Sequence, residues 1–228
     1  MDLLSLAKDT LFPWALAIFL AGMLWRIVGI LLLRGKRDLS LARKKDWWWK
    51  GLRLTALRSW PRKEFSATMP MELISYIFHF GLFAAVLLYL PHILFFENII
   101  KGLIGYNLTD VVGFGWPYFP AAVISFVSTI SVFCLIVVLI HRMVNPVKRL
   151  ISNFDDYFSW FVTIAPLITG MLATSHIGGP YQILLALHIL SVELLLVWFP
   201  FSKLMHVFTM FTARAVTGAL FDRKGAAL

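Results

Sequence analysis

The chain has 228 residues, of which 60% are hydrophobic and 14% are charged, and its mean hydropathy is +0.80. A soluble domain of this size carries about 25% charged residues, so the composition excludes an ordinary soluble protein. The single cysteine, Cys134, lies inside an apolar run, which excludes an intrachain disulfide and a thiolate metal cluster.

Five apolar segments are long enough to cross a bilayer, for which a helix needs about 20 residues. They are residues 12–33, 71–95, 120–140, 157–174 and 181–206. Backbone groups in lipid have to be satisfied internally, and none of these segments alternates as barrel strands do, so each is predicted to be a helix. No small-residue cleavage site follows the first segment, so we expect it to remain in the mature protein. The sequence predicts an all-α integral membrane protein with one membrane domain, a bundle of five transmembrane helices.

Lysine and arginine are distributed unevenly between the two sides of this predicted bundle. Residues 34–68 hold eleven of the 21, residues 142–156 hold three and residues 203–228 hold four, whereas the opposite side holds only Lys8 and Lys101. Cytoplasmic loops carry an excess of basic residues. The distribution therefore predicts an N-terminus outside and a C-terminus in the cytoplasm.

The segment 34–68, which we call the basic segment, also contains Trp47, Trp48, Trp49 and Trp60. Tryptophan mixed with basic residues is typical of an amphipathic segment that lies along a membrane surface. We expect it to contact anionic lipid or a cytoplasmic partner. Because membrane topology accounts for the charge of +9, nucleic-acid binding is not expected.

Two histidines lie in the last apolar segment, within "LHILSVELLLVWFPFSKLMHVF". His188 and His206 are 18 residues apart, which is five turns of a continuous helix and about 27 Å along its axis. That spacing predicts two imidazoles on one face, one near each side of the hydrocarbon core. Pro200 between them is expected to kink the helix.

The other four histidines divide by depth in the same way. His79 and His141 are expected near the cytoplasmic side, and His92 and His176 near the outer side. Each side then has three imidazoles, and an axial pair of haem ligands needs two. The alternative is that these are interfacial or hydrogen-bonded core histidines, although ionisable residues within membrane spans are candidates for function.

The sequence around these histidines resembles the respiratory nitrate reductase gamma subunit family. "FPFSKLMHVF", with "LH" ahead of it, is similar to the last helix of that family, and "IFHFG" at 77–81 is similar to the start of its second helix. "WRIVG" at 25–29 resembles the end of the first helix, and "HRMVNPVKR" at 141–149 resembles the loop after the third. Membrane subunits of heterodisulfide-reductase-like and sulfite-reductase-associated complexes have the same fold, and the motifs do not separate these relatives.

The resemblance implies a membrane cytochrome b with two b-type haems, in which His79 and His206 are ligands of the inner haem iron and His188 is a ligand of the outer one. The family has its fourth ligand ten residues after the first histidine of the second helix, where this chain has Tyr89. His92, thirteen residues on and about 140° around an ideal helix, is the nearest candidate if Pro91 distorts the helix. The loop residue His176 is the competing candidate.

Four further residues have two interpretations each. Arg26 is either a partner of a haem propionate or a snorkelling arginine at a helix end. Glu193, inside the fifth span, is either a proton-passing group or a neutral structural acid. Lys101 and Asp110 in the outer loop either flank a quinone site or are solvated.

The family resemblance implies electron transfer between the quinone pool and an iron–sulfur subunit on the cytoplasmic face, joined to a catalytic subunit in a respiratory complex. It also implies a prokaryotic cytoplasmic membrane. The rival interpretation is a transporter or channel-like subunit in which the histidines and Glu193 form a proton path. No inverted repeat or pair of broken helices supports that rival.

Overall fold

The computed structural model of this chain describes residues 2–32, 41–43, 49–53, 66–106, 110 and 115–225. These residues are mostly helical, and the ranges contain no β-strand beyond an isolated bridge between Tyr89 and Phe119. The predicted all-α class is confirmed. The remaining residues, including three of the four tryptophans of the basic segment, lie outside the described ranges.

Eight α-helices of six or more residues lie in the described ranges, besides shorter helical pieces at Leu3–Ser5 and 49–53. They are α1 (Phe12–Leu32), α2 (Met69–Leu87), α3 (Leu90–Ile104), α4 (Ala121–Val144), α5 (Pro146–Ile151), α6 (Phe154–Ser175), α7 (Tyr181–Trp198) and α8 (His206–Arg223). A short helical turn (Leu3–Ser5) and a π-helical stretch (Leu6–Leu11) run directly into α1. Asp2 caps this first turn by accepting a hydrogen bond from the backbone N–H of Ser5.

Six helical segments in the described ranges are long and apolar enough to cross a membrane. They are Leu3–Leu32, Met69–Leu87, Ala121–Val144, Phe154–Ser175, Tyr181–Phe201 and Lys203–Arg223. A multi-pass membrane protein is therefore confirmed. The predicted number of five spans is not, because Lys203–Arg223 is a sixth candidate.

The second predicted span is not one continuous helix. α2 ends at Leu87 and α3 begins at Leu90, and between them Tyr89 is extended with φ −95° and ψ 122°. Pro91 has no N–H to donate to the Leu87 carbonyl. The His92 N–H donates to the Tyr89 carbonyl, and the Leu88 carbonyl accepts from the Phe119 N–H at 2.9 Å. A local distortion was expected at Pro91, and the structure has instead a complete break in the helix just before it.

The fifth predicted span also ends earlier than expected. α7 stops at Trp198, two short 3-10 turns follow (Phe199–Phe201 and Lys203–Met205), and α8 begins at His206. Pro200 removes one helical hydrogen bond, and Ser202 is extended with φ −110° and ψ 177°. The assumption of a continuous helix from His188 to His206 is wrong, so their spacing of five turns does not place them on one face.

The described chain divides into two compact units. The first consists of Met1–Met69, Asn153–Val162 and Ile189–Leu228, and the second of Pro70–Ser152 and Thr163–His188. In the first unit, Pro200 packs on Gly22 so closely that a Cβ at Gly22 would lie 2.7 Å from the proline Cβ. Phe199 contacts Phe19 edge to face in the same region, with ring centroids 5.7 Å apart. These contacts hold the first 3-10 turn against α1.

A polar network in the first unit joins the second 3-10 turn to the start of α6. The Lys203 ammonium lies 2.6 Å from the Asp156 carboxylate, and the Lys203 backbone N–H donates to Asp155 at 3.1 Å. Asp155 also accepts from the Ser159 hydroxyl, which in turn accepts from the Trp198 indole at 3.0 Å. α6 thus supplies partners for the Lys203 N–H and for the Lys203 and Trp198 side chains, which lie around the end of α7.

In the second unit, α2 and α4 approach closely through small residues. Ser131 is fully buried, and its hydroxyl is within hydrogen-bond distance of the Val127 carbonyl (2.9 Å) and the Phe78 carbonyl (3.3 Å). A Cβ at Gly81 would lie 2.7 Å from the Val127 carbonyl oxygen. Small residues of this kind let helix backbones approach within a membrane.

Candidate functional site

The break between α2 and α3 determines the orientation of His92. The His92 Nδ1 atom lies 2.7 Å from the carbonyl oxygen of Ala85, in the last turn of α2. A carbonyl only accepts, so Nδ1 donates, and the neutral ring then has its lone pair on Nε2. The broken helix thus leaves a carbonyl that orients the first imidazole of the site.

His188, on α7, is held by the middle of α6. Its Nδ1 atom lies 3.1 Å from the Pro166 carbonyl oxygen and 3.3 Å from the Thr169 hydroxyl oxygen. The bond to a carbonyl again requires the proton on Nδ1 and the lone pair on Nε2. Gly170 makes room for the ring, because a Cβ at that position would lie 3.0 Å from the His188 Cε1 atom.

His92 and His188 lie side by side in the second unit. Their ring centroids are 5.9 Å apart, and the ring planes differ by 17°. Two imidazoles on opposite sides of one metal ion, each bound at roughly 2.0 Å, have ring centroids about 6 Å apart. Hydrogen bonds from Nδ1 to backbone carbonyls are the usual means by which a protein orients a metal-binding histidine. The separation and the hydrogen bonds therefore fit an axial pair of haem ligands.

Tyr89 and His176, the two other residues considered near the outer haem, have different positions. The Tyr89 ring packs edge to face on His92, with centroids 5.3 Å apart, and its hydroxyl lies 3.5 Å from the Thr174 hydroxyl. His176 has a positive φ of 56° in the loop between α6 and α7, and its ring contacts Tyr181. Among the described contacts, His92 is therefore the histidine that meets His188.

The described ranges contain no group of three or more His, Cys, Asp or Glu residues that could hold a metal ion. Haem needs no such group, because its porphyrin supplies the equatorial nitrogens and the protein adds only axial ligands.

The two predicted ligands of the inner haem belong to different units. His79, on α2 in the second unit, has Nδ1 2.7 Å from the Ser75 carbonyl oxygen. His206 starts α8 in the first unit, and its Nδ1 atom lies 2.9 Å from the Lys203 carbonyl oxygen. Each ring thus has the same tautomer as His92 and His188. Their pairing stays a prediction from the family resemblance.

The remaining candidates are spread over the chain. Arg26 is exposed on α1, and Lys101 is exposed near the end of α3. Glu193 is only 6% exposed within α7, and its Oε1 atom has no hydrogen-bond partner among the described residues. Glu193 is therefore a buried carboxyl group in a helix that is apolar enough to span the membrane.

The residues that position His188 were not among the candidates predicted from the sequence. Pro166, Thr169 and Gly170 lie three and four residues apart and therefore share one face of α6. Proline and glycine together on one face of an apolar helix were the available signal, because glycine allows close approach. That the group approaching this face is the His188 ring is shown only by the packing of α7 on α6.

Comparisons with known proteins identify one similar protein and no family. A protein of Nitratidesulfovibrio vulgaris (strain Hildenborough), named only "Protein", is 32% identical over 143 residues, which cover 63% of this chain. The match covers 58% of that relative's length. No protein-family model matches the chain, and no solved structure matches it.

Proposed function

We propose that this chain is a membrane cytochrome b subunit that transfers electrons between the quinone pool and an iron–sulfur subunit at the cytoplasmic face. The supporting observation is the His92–His188 pair, with ring centroids 5.9 Å apart and both Nδ1 atoms bonded to backbone carbonyls. When bound, haem b would supply the one-electron chemistry, and the protein would supply binding and orientation.

In this proposal the outer haem is held by His92 and His188. Because the carbonyls of Ala85 and Pro166 accept from Nδ1, each ring in its neutral form has its lone pair on Nε2, which would be the metal-binding atom. Tyr89, packed edge to face on His92, would line this site without being a ligand. The family resemblance further implies an inner haem held by His79 and His206, with Arg26 beside a propionate.

The proposed partners follow from the same resemblance. A quinol would be oxidised near the outer haem, and an iron–sulfur subunit with its catalytic subunit would dock on the side of the basic segment. The positive charge of that segment favours acidic protein surfaces and anionic lipid. The proposed location is the cytoplasmic membrane of a prokaryote, with the N-terminus outside.

Visible spectroscopy of the purified protein tests the proposal, with histidine variants to assign the ligands. We expect two haem equivalents by pyridine haemochrome assay. His92→Ala and His188→Ala should each abolish the same redox transition, because each removes one axial ligand of one haem. His79→Ala and His206→Ala should abolish the other transition.

His176→Ala is the matched control, because its ring contacts Tyr181 rather than the proposed pair. Both transitions should survive this change. Loss of the outer transition in His176→Ala with retention in His92→Ala would contradict the assignment. A protein that is inserted in the membrane but has no haem bands would contradict the cytochrome itself.

The burial of Glu193 favours one second candidate, a transporter or channel-like subunit with a proton path. An intramembrane carboxyl group is a candidate for proton transfer because its ionised form is costly in lipid. This candidate predicts no haem bands and a proton flux across proteoliposomes that Glu193→Gln abolishes. The cytochrome proposal predicts the haem bands whether or not Glu193 is replaced.

A further inference from the structure

α8 is fastened to the basic segment by two contacts at its C-terminal end. The Arg43 backbone N–H donates to the Arg223 carbonyl at 3.0 Å, and the Lys50 ammonium lies 3.8 Å from the Asp222 carboxylate. All four residues belong to the first unit. The end of α8 is therefore held next to the chain that follows α1.

The two backbones also approach closely in the middle of α8. Gly51, in the short helix at 49–53, lies so near that a Cβ there would be 2.6 Å from the Ala215 carbonyl oxygen and 2.7 Å from the Ala219 Cβ. Ala215, Ala219 and Asp222 are all buried. They share one face of α8, which is the face that the basic segment covers.

This contact conflicts with a membrane crossing by α8. The turn Phe199–Phe201, which precedes α8, packs on the half of the continuous Leu3–Leu32 helical span that ends at Leu32, since its residues contact Phe19, Gly22 and Trp25. α8 has 18 residues and is about 27 Å long, so a crossing would place Asp222 and Arg223 on the side opposite Leu32.

Arg43 and Lys50 would then have to be on that opposite side too. Residues 33–42 would return through the membrane with Arg34, Lys36 and Arg37. Each Lys or Arg at the bilayer centre costs about 2.5–3.5 kcal/mol. A helix that stays on the side of the basic segment avoids this cost.

The uncovered residues of α8 and of its partner fit a lipid surface. Val216, Leu220 and Phe221 are exposed on α8, between 41% and 44%. Trp49 and Arg53 are exposed on the 49–53 helix, which packs on α8 through Gly51. Exposed apolar and aromatic residues next to basic ones are typical of segments that lie in the headgroup region of anionic lipid.

We propose that α8 does not cross the membrane but lies along its surface, on the side of the basic segment, with Val216 and Leu220 inserted among anionic lipids. The bundle then has five crossings, and the sixth candidate is an interfacial helix. The inference depends on contacts in the first unit and not on bound haem.

Cysteine labelling of membranes tests which side the end of α8 occupies. In a Cys134→Ala background, Leu41→Cys reports the basic segment and Lys224→Cys reports the end of α8, since both side chains are exposed. A membrane-impermeant maleimide should reach both from the same side. Tyr118→Cys, between α3 and α4, should react from the other side. Reaction of positions 41 and 224 from opposite sides would overturn the proposal.

Cross-linking checks the same contact without labelling. A Cβ at Gly225 lies 3.7 Å from the Arg43 Cβ, and disulfide-bonded cysteines have Cβ atoms about 3.5–4.5 Å apart. Oxidation of membranes that contain Arg43→Cys with Gly225→Cys should form an intrachain disulfide, and neither single variant should. Absence of the disulfide in a protein whose two cysteines both react with maleimide would contradict the contact.

Fluorescence quenching tests the lipid contact itself. A fluorophore on Val216→Cys or Leu220→Cys should be quenched by brominated lipids in vesicles that contain phosphatidylglycerol. Quenching should weaken when the anionic lipid is replaced by phosphatidylcholine. Labels at 216 and 220 that remain unquenched and accessible to an aqueous quencher would overturn the lipid contact and indicate a surface for a soluble protein.

Discussion

At the scale of single residues, the candidate site depends on backbone carbonyls that orient imidazoles. His92 and His188 each use Nδ1 to donate to a carbonyl of another part of the chain, Ala85 and Pro166 respectively. These bonds determine the tautomer and restrict the rotation of each ring. A histidine on the surface without such bonds has neither restriction. The geometry of the pair is thus built from the main chain as much as from the side chains.

Gly170→Val should displace the His188 ring, because even a Cβ at this position would lie 3.0 Å from the ring. We expect the outer redox transition to be lost while the inner one remains, measured by potentiometric titration of the haem bands. Gly102→Val is the matched control, since nothing lies within 4 Å of a Cβ at Gly102 on α3. Equal haem loss in both variants would show that the effect is not specific to the His188 pocket.

At the scale of elements, a proline lies at each of the two places where a span predicted as one continuous helix is interrupted. Pro91 follows the break between α2 and α3, and Pro200 lies in the turn after α7. In each case a missing N–H interrupts the ladder, and the released polar groups find partners elsewhere in the same unit. A membrane helix tolerates such a break only where these partners exist.

Gly81→Val should separate α2 from α4, because the added side chain would meet the Val127 carbonyl and Ser131. Overpacking of this kind costs about 1–3 kcal/mol. The buried thiol of Cys134 on α4 reports the change, since a thiol-reactive dye labels it only on unfolding. Labelling should begin at a lower temperature than in the wild type. Gly29→Val, in open space on α1, should leave the midpoint unchanged.

The ion pair between Lys203 and Asp156 should stabilise the end of α7 more than an exposed pair does. The carboxylate side chain is only 7% exposed, although the lysine is 52% exposed. Exposed pairs contribute about 0.2–1 kcal/mol, and because the carboxylate is buried we expect the upper end of that range, about 1 kcal/mol. A double-mutant cycle of Asp156→Asn and Lys203→Met, followed by tryptophan fluorescence during denaturation, should give a coupling energy of that size. A coupling energy near zero would show that the pair contributes nothing.

At the scale of the whole molecule, the positions of basic residues predict the orientation. Eighteen Lys and Arg residues lie in the segments expected in the cytoplasm, and Lys8 and Lys101 lie opposite. An alkaline phosphatase fused after Leu228 should therefore be inactive, and one inserted beside Tyr118 should be active. The reverse pattern would overturn the orientation. Activity at both fusions would indicate that α8 crosses the membrane.

The accuracy of the sequence predictions differs between the spans. The predicted span 12–33 nearly matches α1, and the predicted span 157–174 lies within α6. Both are long apolar runs without a break, for which the helix is the only structure available in lipid. Residues 71–95 and 181–206 were predicted as single helices and contain breaks. Apolar runs indicate burial in lipid, but they do not show where a proline will end a helix and where it will only kink one.

By itself, the sequence determined the membrane class and the helical fold, since both follow from local hydropathy and from backbone hydrogen bonding. It also indicated His92 and His188 as candidates, from their expected depth and the family resemblance. The tertiary structure decided which histidine meets His188, because that depends on the break before Pro91 and on the glycine face of α6. It also decided that Gly51 packs on α8. Contacts between residues far apart in sequence depend on packing, which no local pattern contains.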